Sequence, residues 1–300
     1  MNTSFTSLTV RLRPWLLASR PKTLPAAAAP VLVGTALAWQ LGGFRPGPAL
    51  AALAGALLLQ IGANLANDVY DYQHGADTAD RLGPLRVTQA GLLAPAQVKT
   101  GMWLVFGLAS LCGLYLVLAA GWPVVVIGLC SILAAIAYTG GPYPLGYHGL
   151  GEWFVFIFFG LAGVMGTCYV QALRLSWTAF WAAVCMGLLT AAILVVNNLR
   201  DIVTDRAAGK RTLAARFGAA WARREYLALL AAAYLIPPAL ALAGAASPAV
   251  LLSWLSLPMA LRLARFVCTQ EGRPLNLALA RTGQLELLFG VLFALGLLFV

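Results

Sequence analysis

About nine runs of roughly 17 to 25 mostly apolar residues succeed one another along this chain, and a run of that length matches the roughly 30 Å hydrocarbon core of a bilayer. Their approximate cores are Leu24 to Leu41, Ala49 to Ala66, Met102 to Ala119, Pro123 to Tyr138, Trp153 to Val170, Ala179 to Val196, Tyr226 to Ala243, Pro248 to Phe266 and Leu285 to Val300. Only 10% of residues are charged, where a soluble domain carries roughly a quarter. The solvent for such a chain is lipid, and the fold class that follows is all-α integral membrane, because helices satisfy their backbone polar groups internally. No linker or shift of composition interrupts the pattern, so residues 1–300 read as one polytopic domain. The first apolar run reads as a retained span, since no small-residue cleavage site follows it.

Nine spans place alternate loops on opposite sides, and the cations test that parity. Of the 20 Lys and Arg residues, only Arg45 and Arg174 fall on one side. The other eighteen lie before the first span or after spans two, four, six and eight. By the positive-inside rule that side is cytoplasmic, with the N-terminus inside a bacterial cell (inner) membrane and the C-terminus outside. The net charge of +10 therefore points to anionic headgroups or phosphates rather than to nucleic acid.

All six aspartates occupy two places: Asp68, Asp71, Asp77 and Asp80 after span two, and Asp201 and Asp205 after span six. The segments Asn67-Asp68-Val69-Tyr70-Asp71 and Asn197-Asn198-Leu199-Arg200-Asp201 share an Asn four residues before an Asp, a weak internal duplication. If each helix continues through its motif, Asp68 and Asp71, and likewise Asp201 and Asp205, share a face. Like charges so placed repel, and they lie at the negative ends of their helix dipoles. A divalent cation relieves both penalties, and carboxylate and amide oxygens with room for water and phosphate suit Mg²⁺. Two Mg²⁺-bearing clusters facing one another are expected. The plainer reading is a pair of solvated loop acids held by Arg81, Arg200 and Arg206.

Cations flank both motifs: Arg20 and Lys22 before span one, Arg81 and Arg86 after the first motif, Lys210 and Arg211 after the second. Carboxylates, Mg²⁺ and Lys/Arg together describe a diphosphate site. No GxxxxGK[ST] loop is present to make it a P-loop. The Gly-, Pro- and Tyr-rich stretch from Tyr138 to Tyr147, which includes Tyr143, reads either as a plain interfacial turn or as a pocket wall. Glu225, Glu271 and Glu286 read as partners for nearby loop cations. The five lone cysteines read as packing, and His74 and His148 as exposed or hydrogen-bonded.

Three stretches, Arg20 to Pro25, NDVYDYQHGADTADRLGPLRVTQAG from Asn67 and NNLRDIVTDRAAGKRTLAARFG from Asn197, resemble the UbiA superfamily of membrane prenyltransferases, and within it the branch acting on 1,4-dihydroxy-2-naphthoate. The resemblance covers nearly the whole chain. It implies about nine helices around a cytoplasm-facing cavity, with Mg²⁺ held by Asn67, Asp68, Asp71, Asp77, Asn198, Asp201 and Asp205. The superfamily pattern places a third acid four residues after Asp71, where this chain has Gly75, with Asp77 two residues later. Candidate substrate-binding residues are Arg20, Lys22, Arg81, Arg86, Gln89, Tyr138, Tyr143 and Lys210, with Asp68, Asp71, Asp201 and Asp205 catalytic. The implied reaction moves a polyprenyl group from its diphosphate to the aromatic acid with loss of CO₂ and diphosphate. Alternatives are a 4-hydroxybenzoate or homogentisate type of acceptor, and a secondary transporter. The two motifs follow spans of the same direction, a parallel relation rather than the inverted repeat of many transporters.

Overall fold

The computed structural model describes residues 12–76 and 81–299. Asp77 and Asp80 lie outside the described residues, as does Arg11. Among the described residues there is no strand. Among those residues nine long helices succeed one another: α1 (Leu24–Gln40), α2 (Pro46–Gln73), α3 (Pro95–Ala120), α4 (Pro123–Ala137), α5 (Gly151–Ala172), α6 (Trp177–Arg200), α7 (Ala219–Leu242), α8 (Pro248–Thr269) and α9 (Leu275–Leu297). Each overlaps one of the apolar runs, although α9 begins ten residues before the run that starts at Leu285.

Seven of the nine are long and apolar enough to cross a membrane. The exceptions are α1 with 17 residues and α4 with 15, which at 1.5 Å per residue reach about 25 and 22 Å. Both are cut short by their punctuation. The turn Gly42-Gly43 closes α1, and α4 is bounded by Gly121 with Pro123 on one side and by Thr139-Gly140-Gly141 on the other.

Helix α2 runs 28 residues and carries Asn67, Asp68 and Asp71 in its last two turns, as the shared-face reading requires. The second motif differs. Helix α6 stops at Arg200, and Asp201 leaves helical geometry at φ −97° and ψ 9° before a short helix, Ile202–Ala207, carries Asp205. The Asp205 amide still donates to the Asp201 carbonyl at 2.7 Å, so the two acids stay one turn apart across the break.

The largest core cluster gathers α1, α6, α7 and α9 around Leu37, Met186, Leu189, Tyr226, Phe289 and Phe293. A smaller one joins α2 and α3 to the loop between them through Leu65, Val69, Val87, Met102 and Phe106. Leu104, Leu111 and Leu118, spaced by seven on α3, are 64 to 82% exposed, an outer face that lipid satisfies and water does not. Helices α5 and α6 touch backbone to backbone: a Cβ on Gly160 would lie 2.6 Å from the Gly187 Cα. Small residues allow such approaches where packing drives helix association in membranes. The middle of α5, Phe156–Met165, widens into a π-helix at this contact, as π turns do inside α-helices.

Helix α7 contains Pro237 and Pro238. Pro238 has no N–H to give to the Tyr234 carbonyl. The indole Nε1 of Trp254, in the 3₁₀ stretch that opens α8, donates to that oxygen instead at 2.9 Å.

Arg45 and Arg174, the two cations on the sparse side, both serve helix ends. Arg45 donates from Nε to the Gln171 carbonyl at 2.8 Å and from Nη2 to Val170 at 2.6 Å and Ala119 at 3.3 Å. Arg174 Nη2 donates to the Leu41 carbonyl. Cations belong at C-terminal helix ends, where carbonyls are unpaired and the dipole is negative.

Candidate active site

The two aspartate motifs meet. Asp71, 2% exposed near the end of α2, is the hub. Its Oδ1 accepts from Lys210 Nζ at 3.0 Å and from the Tyr147 hydroxyl at 2.8 Å, and its Oδ2 accepts from Arg86 Nη2 at 2.7 Å. Lys210 comes from the segment after the second motif, Tyr147 from the loop after α4 and Arg86 from the loop after α2. Three loops that the sequence assigns to one side therefore converge on one carboxylate. They are also tied by the Arg211 amide, which donates to the Tyr147 carbonyl at 2.7 Å, and by Asn276 Nδ2, which donates to the Leu82 carbonyl at 2.8 Å.

Asp205 completes the pairing of motifs. Burial pushes its carboxyl up to about 7; the positive charge of Lys210 opposes this, the negative charges of Asp201 and Asp71 add to it, and Arg200 opposes it. The charge of one motif thus bears on the other. Asp201 is instead clamped by Arg200, which donates from Nε to Oδ1 at 2.8 Å and from Nη2 to Oδ2 at 2.5 Å. The same guanidinium donates to Asn197 Oδ1 and Asn276 Oδ1, each at 2.8 Å. A Cβ on Gly83 would lie 2.9 Å from Arg200 Nη2, so the loop after α2 closes over this clamp only with glycine there. The plainer sequence reading, solvated loop acids held by arginines, is met at Asp201 only in its arginine, Arg200, for the acid is buried.

Asp68, 1% exposed, turns toward that loop: its Oδ2 accepts from the Val87 amide at 3.1 Å and its Oδ1 from the Thr88 amide at 3.0 Å. Asn67 Oδ1 accepts from the Thr139 hydroxyl at 3.0 Å. Asn198 Nδ2 donates to Glu152 Oε1 at 2.8 Å, which turns the amide oxygen of Asn198 away from that carboxylate. Glu152 stands at the start of α5, 7% exposed, with Oε2 buried and no partner for it among the described residues. Its signal in the sequence was a single acid opening an apolar run, and acids at membrane depth are functional more often than incidental. Glu286 corrects an expectation. It pairs with no loop cation but sits fully buried in α9, accepting from Thr190 Oγ1 at 2.5 Å. Glu271 does pair with a cation, Arg223, at 3.0 Å.

Among the tyrosines the structure exchanges one for another. Tyr143 is 58% exposed and stacks on His148 with centroids 3.5 Å apart, whereas Tyr147 reaches Asp71 and lies under Lys210, 4.4 Å from ammonium to ring. Tyr138, half-buried just past α4, packs so that a Cβ on Gly151 would meet its hydroxyl at 2.9 Å. Gln89 is half-buried, Lys22 is exposed, and Arg81 donates to the Pro84 carbonyl at 3.4 Å. Arg20 has a left-handed backbone at φ 49°, held where Thr23 donates to its carbonyl at 2.9 Å from both amide and hydroxyl. A non-glycine residue in that region marks local strain.

Among the described residues no three acidic, histidine or cysteine side chains converge on a single point. The donor set still suits magnesium, which often takes only one or two protein carboxylates and fills its shell with water and substrate phosphates. Asp71 and Asp205 are both buried, and Lys210, which donates to Asp71, is the cation whose charge acts most on Asp205.

Residues 27–281 match the UbiA prenyltransferase family. The chain belongs to that family. It is 43% identical over 300 residues to the 1,4-dihydroxy-2-naphthoate octaprenyltransferase of Escherichia coli, covering 96% of each chain. It is 43% identical over 286 residues to the enzyme of the same name from Mycobacterium tuberculosis, covering 95% of this chain and 97% of that one. In three dimensions it resembles a UbiA homolog from Archaeoglobus fulgidus bound to DMAPP and Mg²⁺, with a TM-score of 0.70 at 14% identity, over 95% of this chain and 99% of that one.

Proposed function

We propose that this chain is a Mg²⁺-dependent aromatic prenyltransferase, which moves a polyprenyl group from an allylic diphosphate to 1,4-dihydroxy-2-naphthoate. The observation that carries the reading is the meeting of the two motifs, with Lys210 of the second on Asp71 of the first at 3.0 Å. Such a cluster of carboxylates ringed by Lys and Arg has a chemical use where a diphosphate binds with its metal. High identity to octaprenyltransferases over nearly the full chain supports the acceptor and the polyprenyl donor.

Asp71, Asp205 and Asp201, with Asn67, Asn198 and Asp77, are the residues we assign to Mg²⁺, which when bound neutralises charge on the diphosphate leaving group. Arg86 and Lys210 share that work, exchanging carboxylate oxygens for phosphate oxygens as the substrate enters. The ring of Tyr138 faces the developing allylic cation, an attraction of about 0.5 to 2 kcal/mol. The acceptor carbon that bears the carboxylate forms the new C–C bond while the allylic C–O bond breaks. Loss of CO₂ returns an electron pair to the ring, so no protein base is required. The chain is assigned to the cell membrane as nine spans around a cytoplasm-facing cavity, N-terminus inside, a topology supported by the placement of eighteen of 20 cations.

Purified protein supplied with labelled polyprenyl diphosphate and 1,4-dihydroxy-2-naphthoate should release diphosphate and CO₂ in equal amounts and yield a prenylated naphthoquinol by mass. EDTA should abolish the reaction and added Mg²⁺ restore it. Turnover that survives EDTA would remove the metal from the mechanism; turnover only with another ring acid would move the acceptor.

A further inference from the structure

Asp68 and Asp71 stand one turn apart on the same helix, yet they face different partners. Asp71 meets side chains from three loops. Among the described residues Asp68 meets only backbone, and each of its oxygens accepts from one of two consecutive amides, Val87 at 3.1 Å and Thr88 at 3.0 Å. Acceptor and donors are all buried: Asp68 is 1% exposed, Val87 0% and Thr88 4%.

We infer that Asp68 is a positioning residue, which latches the loop between α2 and α3 onto the end of α2 and so carries Arg86 to Asp71, and that it is not a metal ligand. The segment it holds has no regular structure from residue 81 to 94. Its ties to the rest of the fold include the Val87 side chain packed with Leu65 and Val69, the Asn276 bond to Leu82, the Arg86–Asp71 ion pair and the two amide bonds to Asp68. Arg86 immediately precedes the latched pair. A buried carboxylate is a strong acceptor for backbone N–H groups, and removing it strands two buried donors. A neutral amide at position 68 keeps one acceptor oxygen and turns an NH₂ toward the second donor, so D68N weakens the latch without changing its size. What the latch serves, Arg86 at a diphosphate, rests on the function proposed above; the latch itself does not.

The full-length protein in nanodiscs provides the test. In D68N, and more so in D68A, hydrogen exchange in peptides spanning 82–91 should speed up at least tenfold, while peptides from the middle of α2 exchange at the wild-type rate. KM for the prenyl diphosphate should rise at least tenfold, with the Mg²⁺ concentration for half-maximal rate within twofold of wild type. Adding Arg86→Ala to D68N should cost little more, since both act through one guanidinium. Binding of Mn²⁺ at saturating inorganic pyrophosphate, where a weaker hold of Arg86 on phosphate no longer shows, should by EPR be unchanged in D68N and lost in D71N. Wild-type loop protection in D68N, or a tenfold weaker Mn²⁺ affinity, would overturn the inference. A wild-type protein without prenyl transfer would sink the proposed function, and the exchange and EPR arms would still decide the latch.

Discussion

Asp71 holds two cations and a hydroxyl at once, and no other described carboxylate carries so many partners. Asp71→Asn should therefore lower kcat by roughly 10² to 10³ or more, the scale for loss of one electrostatic element of a preorganised site. Steady-state rates on folded, detergent-purified protein check it. Asp205 gives a pH prediction. Its folded-state carboxyl is raised to about 7, chiefly by burial, so below that value the proton competes with metal. The Mg²⁺ needed for half-maximal rate should climb by up to roughly tenfold per pH unit below 7 and level off above it. Asp205→Asn should flatten that dependence. These acids were legible because the chain confines every aspartate to two places. Glu152 was not, because a lone acid carries no spacing to match, and Tyr147 was not, because nothing in a stretch with three tyrosines says which ring turns inward.

At the scale of elements, each of the nine long described helices overlaps an apolar run, and seven of them are long and apolar enough to cross a membrane. Their ends were less legible. Gly and Pro shorten α1 and α4, and the break at Asp201 depends on the Arg200 clamp, a tertiary contact with α9 that no local pattern encodes. The contact of α5 with α6 is set by a glycine pair, and Gly187→Leu should destabilise the protein by about 1 to 3 kcal/mol through overpacking. A thermal unfolding series in one detergent, with Gly187→Ala as the milder step, measures it.

Across the whole molecule, charge is divided between two ends. The crowded end holds both motifs, and the sparse end spends Arg45 and Arg174 on helix carbonyls. Single cysteines placed in a cysteine-free background near residue 45 and near residue 174 should react with an impermeant maleimide added outside intact cells, and one placed at Gln270 should not. Reaction at 270 alone would invert the topology.

The bond from Trp254 to the Tyr234 carbonyl has a consequence along the membrane normal. A helix in lipid can slide along its neighbour at little expense in apolar contact, since one leucine replaces another. Here a displacement of α8 by one turn, 5.4 Å, would strand an oxygen where no water can reach it. The indole thereby fixes the depth at which α8 sits, and Trp254→Phe should release that depth at a cost of about 1 to 3 kcal/mol.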